Sequence, residues 1–196
     1  MKLIMTVGAP GSGKSTFAKT KVKKLWKKGK SAVIFSKDDI RNMMSGSSDK
    51  QRYWKDLLPM IDGCESMVRN MLFANIIVAV RSGLEVAIIP DCHPTPSSVN
   101  YAIDRLYTAG VPVDSVEIYS FVDNTLEELL AINETRPKDD RLDVELVTNL
   151  NNLCVETHGL LKKYASTKTI SIKLFNQPKN PGLSKLDKET YETEED

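Results

Sequence analysis

Little in this chain marks the specialised protein classes, and each shortage excludes something. The formal net charge is only +1 and the pI about 7.6, so bulk positive charge does not draw the protein to nucleic acid. Any nucleic-acid site must be local. Cysteine is scarce: Cys64, Cys92 and Cys154 are odd in number, far apart in sequence and without a Cys-x-x-Cys pair. That argues against a disulfide framework or a zinc site, and the three read as ordinary thiols of a reducing compartment. The first residues lack the basic, apolar and small-residue regions of a signal peptide, since Met1 to Val7 run straight into a glycine loop. A cytoplasmic location is expected. Long apolar runs are missing too: the most apolar stretch, Met71 to Val80, contains Asn75 and has Arg69 and Arg81 close by. It falls short of the roughly 18 apolar residues that a bilayer span requires, and reads as a core helix. No membrane partner is expected, and there are no internal repeats.

What is present suits one α/β domain: 196 residues, 41% of them apolar and 27% charged, are enough for a core that folds alone. Short apolar runs alternate with longer segments of helical period. The runs are Leu3–Val7, Ala32–Phe35, Val86–Ile89, Ile118–Val122 and Thr169–Ile172. This order predicts a five-stranded parallel sheet with helices on both faces. Ala18, Val22, Leu25 and Trp26 have the spacing of one buried helix face. Further helices are predicted after Ser36, from about Met60 to Arg81, over Tyr101–Ala109, Thr125–Asn133 and Val144–Tyr164, with a break at Gly46-Ser47-Ser48-Asp49. The domain is expected to span 1–175, with a charged lid at about 134–142, and residues 176–196 to form a flexible acidic tail.

Gly8-Ala9-Pro10-Gly11-Ser12-Gly13-Lys14-Ser15 follows the first run and precedes the first helical pattern. It matches G-x-x-x-x-G-K-[ST], so the expected architecture is a P-loop NTPase or kinase fold and the expected cofactors are ATP and Mg²⁺. Gly11, Ser12 and Gly13 let backbone N–H groups wrap a phosphate chain at a helix N-terminus, and Lys14 reaches the β and γ phosphates. Ser15 supplies a hydroxyl to the metal, and Thr16 stands next to it near the α-phosphate.

Ser36-Lys37-Asp38-Asp39 carries an S-x-x-D capping pattern, which puts Asp38 and Arg41 three apart on the first helical turn. Asp38 is the candidate general base for an acceptor hydroxyl, and Arg41 the candidate grip on an anionic part of that acceptor. Asp39 is expected to serve the helix dipole. A pairing of Arg41 with these aspartates, with no catalytic role, fits the same pattern. Asp91 ends the third strand, where open α/β sheets place polar groups beside bound phosphates. It is read as a partner of the magnesium or of the acceptor, with a loop cap as the plainer alternative, and His93 as a loop histidine. Arg136 is a catalytic and ATP-binding candidate in the lid, ahead of Arg141. Lys19, Lys21, Lys23, Lys24, Lys27, Lys28 and Lys30 crowd the first helix with no acid among them. They read either as a phosphate-tracking patch or as a solvated helix face.

With these residues in place, the chain resembles the kinase domain of bacteriophage-type polynucleotide 5′-hydroxyl kinases, within a wider group of small P-loop kinases. The likeness spans roughly residues 2–155. It rests on Gly-Ala-Pro-Gly-Ser-Gly-Lys-Ser-Thr at 8–16, Lys-Asp-Asp-Ile-Arg at 37–41, Ile-Ile-Pro-Asp at 88–91 and Glu-Leu-Leu to Arg at 128–136. The resemblance implies that Lys14 and Ser15 bind ATP and metal, Asp38 is the general base, Arg41 meets an acceptor phosphate and Arg136 is a lid arginine. Two features depart from the family: Ile132 stands where its lid carries a second arginine, and no phosphatase domain follows. The implied reaction is transfer of the γ-phosphate of ATP to the 5′-hydroxyl of DNA or RNA. The alternatives are a nucleoside, nucleotide or hydroxymethylated-base acceptor, with Tyr53 and Trp54 as a stacking wall, or a regulator that binds ATP without transferring phosphate.

Overall fold

A computed structural model of the chain describes residues 1–47, 52–164 and 171–176. Its first strand, β1 (Lys2–Gly8), is apolar on both faces, which only a central strand covered on both sides can satisfy. Leu3, Met5 and Val7 point to one face and Ile4 to the other, the two-residue period of a strand. The other strands are β2 (Ala32–Ile34), β3 (Val86–Ile89), β4 (Ser115–Phe121) and β5 (Ser171–Asn176). All pairings are parallel and the order is β2-β3-β1-β4-β5, so β1 lies in the middle.

The helices between the strands are α1 (Lys14–Lys27), α2 (Lys37–Ser45), α3 (Cys64–Arg81), α4 (Pro96–Thr108), α5 (Leu126–Glu134) and α6 (Val144–Tyr164). On one face Leu3, Met5 and Val7 pack with Val68, Leu72 and Ile76 of α3, Ile103 and Leu106 of α4, and Leu161 of α6. On the other, Ile4, Ile88 and Phe121 pack with Ala18 and Val22 of α1. Each fully buried Leu or Ile contributes roughly 1.5–3 kcal/mol of transfer free energy. Both faces of the sheet are therefore held by the same periodic apolar stripes.

Several boundaries differ from the sequence expectation. The long helix begins at Cys64, because Gly63 adopts the left-handed conformation (φ 77°) and separates it from a π turn (Tyr53–Leu57) and a 3₁₀ turn (Leu58–Met60). The helix expected from Tyr101 starts at Pro96, since Thr95 and Ser98 form a reciprocal capping box and proline suits the first helical position. Trp26 is 57% exposed and not part of the buried face; its indole N–H donates to the Ala32 carbonyl at 2.7 Å. Ser48, Asp49, Thr169, Ile170 and the acidic tail beyond Asn176 lie outside the described residues. Among the described residues no single helix is long and apolar enough to cross a membrane.

Candidate active site

The loop from Gly8 to Lys14 joins β1 to α1 at the carboxyl edge of the sheet. Gly11 (φ 89°) and Gly13 (φ 98°) occupy the left-handed region, where a side chain would be strained. Gly8 is required for space: a Cβ there would lie 2.7 Å from Ser12 Oγ and 2.8 Å from Phe121 Cβ. Gly13 caps α1 with no side-chain hydrogen bond and no acid stands in the first turn, so the positive helix end faces the loop uncompensated. Lys14 is buried inside the loop, and its Nζ donates to the Ala9 carbonyl at 2.7 Å. Burial lowers its pKa, against the opposing pull of nearby charges that include Asp91 and Asp38. Ser15 and Thr16, the next two residues, are exposed.

Ser36 caps α2 by accepting the Asp39 N–H at 3.3 Å, as the S-x-x-D pattern predicts. Asp38 and Arg41 share the first turn: Arg41 Nη1 donates to Asp38 Oδ1 at 2.7 Å. The rest of the guanidinium fork is engaged elsewhere. Arg41 Nε and Nη2 donate to the two carboxylate oxygens of Glu65 at 2.9 and 2.8 Å. The Tyr53 hydroxyl donates to Glu65 at 2.8 Å, and the guanidinium carbon lies 4.9 Å from the Trp54 ring centroid. Burial opposes the Arg41 charge, but its bonds to Glu65 and Asp38 outweigh it and raise the pKa; the Arg41 and Tyr53 bonds likewise overcome burial and lower that of Glu65. Tyr53 is fully buried, so it cannot stack on a ligand; Trp54 is 43% exposed.

Asp91 pairs with Lys37, the first residue of α2, at 3.2 Å, and its backbone carbonyl accepts from Thr6 Oγ1 at 2.8 Å. The end of β3 is thereby tied to both α2 and β1. Near the end of α5, Arg136 Nη2 lies 3.8 Å and Ile132 Cγ2 3.3 Å from the position of a Cβ on Gly11. Ile132 and Arg136 therefore both lie beside the phosphate loop at Gly11. The segment between α5 and α6 is cinched at its base: Asn133 is buried, donates to the Leu142 carbonyl at 2.7 Å and accepts the Leu142 N–H at 3.0 Å. Arg141 pairs with Glu134 at 2.7 Å and donates to the Arg136 carbonyl at 3.1 Å, so it braces the segment that carries Arg136.

A family model described as an AAA domain matches residues 3–145. The chain belongs to this AAA domain family. Among solved structures, this AAA domain is similar to Mycobacterium tuberculosis APS kinase in complex with AMPPNP and APS, at 19% identity and a TM-score of 0.50, covering 92% of this chain and 84% of that one. A mutant of the same APS kinase matches at 20% identity and a TM-score of 0.46, covering 82% of this chain and 97% of that chain. At such identity the likeness of the complex shows a shared P-loop kinase-like fold. No curated protein matches.

The residues of this AAA domain suit a bound nucleotide. Gly11 and Gly13 hold the left-handed turns of the loop, Lys14 Nζ lies 3.5 Å from Ser12 Oγ, and the α1 N-terminus opens on the same loop with no acid in its first turn. Among the described residues no group of three or more His, Cys, Asp or Glu side chains is placed to hold a metal ion. Magnesium there would be bound by Ser15 together with phosphate oxygens, the usual manner for a cation that sheds water reluctantly.

Sequence reasoning missed three features. Glu65 sits in the first turn of α3, where helix-dipole compensation gives a glutamate an ordinary reason to be, so nothing in the sequence singles it out. Lys37 stands out in the sequence only as part of the motif around Asp38. Cys92 and Cys154 are 62 positions apart yet have their sulfurs 3.5 Å from each other, with Cys92 Sγ donating to the Gly8 carbonyl at 3.0 Å. The contact with Cys154 lowers the Cys92 pKa. The lysines of α1 and of the turn after it are partly committed: Lys21 donates to the Tyr119 hydroxyl and Lys30 to Glu85, each at 2.7 Å.

Proposed function

We propose that this AAA domain is an ATP- and magnesium-dependent phosphotransferase whose acceptor is a hydroxyl group, most favourably the 5′-hydroxyl of DNA or RNA. The observation that carries this reading is the convergence at one sheet edge of the glycine loop with its buried Lys14, the carboxylate of Asp38 and the lid arginine Arg136. Phosphoryl transfer asks mainly for positioning and charge stabilisation, and these groups supply both. ATP with magnesium provides the γ-phosphoryl group. The loop amides, Lys14 and Ser15 hold it, and Arg136 neutralises charge on its oxygens from the lid side.

Asp38 accepts the proton of the acceptor hydroxyl and aligns its oxygen. Arg41 acts through Asp38: clamped by Glu65, it fixes the carboxylate in one orientation. Of the five N–H donors of a guanidinium, three are engaged here, which leaves its open edge for an anionic part of the acceptor. The polynucleotide acceptor is supported by the motif resemblance around Asp38, Arg41 and Asp91.

The test is label transfer from γ-labelled ATP with Mg²⁺ to a panel of 5′-hydroxyl DNA and RNA oligomers, nucleosides, deoxynucleotides and hydroxymethylated duplex. Label at oligomer 5′ ends is the expected result. Label only on a small molecule or a modified base would replace the acceptor class, and tight ATP binding with no transfer to any of them would sink the enzyme reading.

A further inference from the structure

Between α3, the start of α4 and the first residue of α2 lies an open-sided cavity of about 370 Å³ that the roles above leave unused. Its lining joins two cations, Lys37 and Arg69, to the hydroxyl-rich start of α4 at Thr95, Ser97 and Ser98, with Tyr101 on its wall. None of the lining residues is acidic. Lys37 ties the cavity to the candidate active site, since the same ammonium pairs with Asp91.

The start of α4 is unusual in how its donors are allotted. Pro96 has no N–H, and the Ser98 N–H is taken by the Thr95 hydroxyl at 3.3 Å. The Ser97 N–H has no partner within the helix, as the second residue of any helix lacks one, and it adds to the positive end of the dipole. A buried histidine also points to a ligand. His93, only 6% exposed, lines this cavity, and its Nε2 is buried without a hydrogen-bond partner among the described residues. Burial lowers its pKa to about 4, so the ring is neutral at pH 7 and presents one donor and one acceptor nitrogen. Its backbone sits at φ 43°, a conformation a non-glycine residue rarely adopts. Native proteins rarely leave such a buried nitrogen orphaned.

On the far side Tyr101 is 45% exposed and meets Phe73 edge-on at 5.7 Å between ring centroids. Its ring offers a flat surface beside the cations, the pairing that nucleotide recognition uses: a phosphate on donors and a base on an aromatic.

We propose that this cavity is a phosphate subsite for the acceptor. Lys37, Arg69 and the α4 N-terminus bind a phosphate of a nucleotide unit, His93 Nε2 bonds the same unit, and Tyr101 lies against its base. The proposal rests on the phosphotransferase reading above and names the acceptor class it requires: a hydroxyl acceptor that already carries a phosphate.

The experiment uses the full chain with Arg69→Ala and Tyr101→Ala, both at exposed side chains, and thermal melting confirms that each variant folds. Isothermal titration measures the affinities for ATP, a 5′-hydroxyl tetranucleotide, a nucleoside 3′-monophosphate and an unphosphorylated nucleoside. Arg69→Ala is expected to weaken the tetranucleotide about tenfold, to flatten its salt dependence by roughly 0.7 in log–log slope, and to leave ATP and the nucleoside unchanged. Tyr101→Ala is expected to weaken the tetranucleotide severalfold without changing that slope. Loss on the tetranucleotide alone places a chain phosphate in the cavity, and equal loss on the monophosphate places the phosphate nearest the hydroxyl there. Unchanged affinities for both phosphorylated ligands, or an equal loss for ATP or the nucleoside, would overturn the subsite. Label transfer in the presence of unchanged affinities would fail the subsite and leave the phosphotransferase reading intact. The expected binding pattern without label transfer to any acceptor would do the reverse.

Discussion

A lysine ammonium is costly to bury, and Lys14 is buried with the Ala9 carbonyl as its nearest acceptor. Phosphate oxygens would be better partners, so nucleotide binding should relieve this cost. MgATP at a hundredfold excess over its Kd is expected to stabilise the fold by about 2.7 kcal/mol, several degrees in thermal midpoint for a chain of this size. Lys14→Ala should fold and lose that ligand-induced shift, which differential scanning fluorimetry will show. Gly8→Ala tests the cradle itself. The added methyl would lie under 3 Å from both Ser12 Oγ and Phe121 Cβ, and overpacking of this kind costs typically 1–3 kcal/mol. A lower denaturation midpoint together with weaker ATP binding is expected. His93 gives a pH signature. A base whose pKa is lowered on folding, here from 6.5 to about 4, binds fewer protons folded than unfolded, so stability falls as pH drops through that window. The neighbours that bear on it are Asp91, which opposes the shift, and Lys37 and Lys14, which add to it. The loss between pH 6.5 and 4 is on the order of 3 kcal/mol, and His93→Gln should remove that part of the pH dependence in urea melts.

At the scale of elements, the placement of Arg136 depends on how α5 is built. Thr125 accepts the Glu128 N–H at 3.2 Å and Glu128 returns a bond to the Thr125 N–H at 2.7 Å, which fixes the start of the helix that presents Ile132 and leads to Arg136. Thr125→Ala is expected to cost about 1 kcal/mol and lower the thermal midpoint by roughly 2–4 °C, with ATP affinity little changed because Asn133 still ties the end of α5 to Leu142. Caps of this type are legible in the sequence, because donor and acceptor lie within one turn of each other. Ser36-x-x-Asp39 placed the start of α2 correctly, and with it the pairing of Asp38 and Arg41 on one turn. Other elements were less legible for physical reasons. Gly63 stops a helical pattern that continues on both sides of it, and Trp26 has the spacing of a core residue but meets a backbone carbonyl at the surface. Local periodicity carries no information on either event.

For the whole molecule, alternating apolar runs were enough to predict parallel strands covered on both faces. The order β2-β3-β1-β4-β5 was not legible, because it depends on which crossovers pack. That order sets the site: β1 and β3 are neighbours, so the glycine loop after one and Asp91 after the other share an edge, and β2 delivers α2 alongside. The phosphate loop was readable because its chemistry lies in consecutive residues. Glu65, Lys37 and the contact between Cys92 and Cys154 were not, because tertiary packing alone brings them there. Asp38 is where these scales meet. It is placed by a cap, held by Arg41, which Glu65 clamps, and brought by β2 to the sheet edge that carries the phosphate loop. The most direct measurement is single-turnover label transfer from γ-labelled ATP to a 5′-hydroxyl oligomer, comparing Asp38→Asn with the unaltered protein at saturating MgATP. Base catalysis by Asp38 predicts a rate at least about a hundredfold lower with unchanged ATP affinity. Equal rates for the two proteins would contradict it.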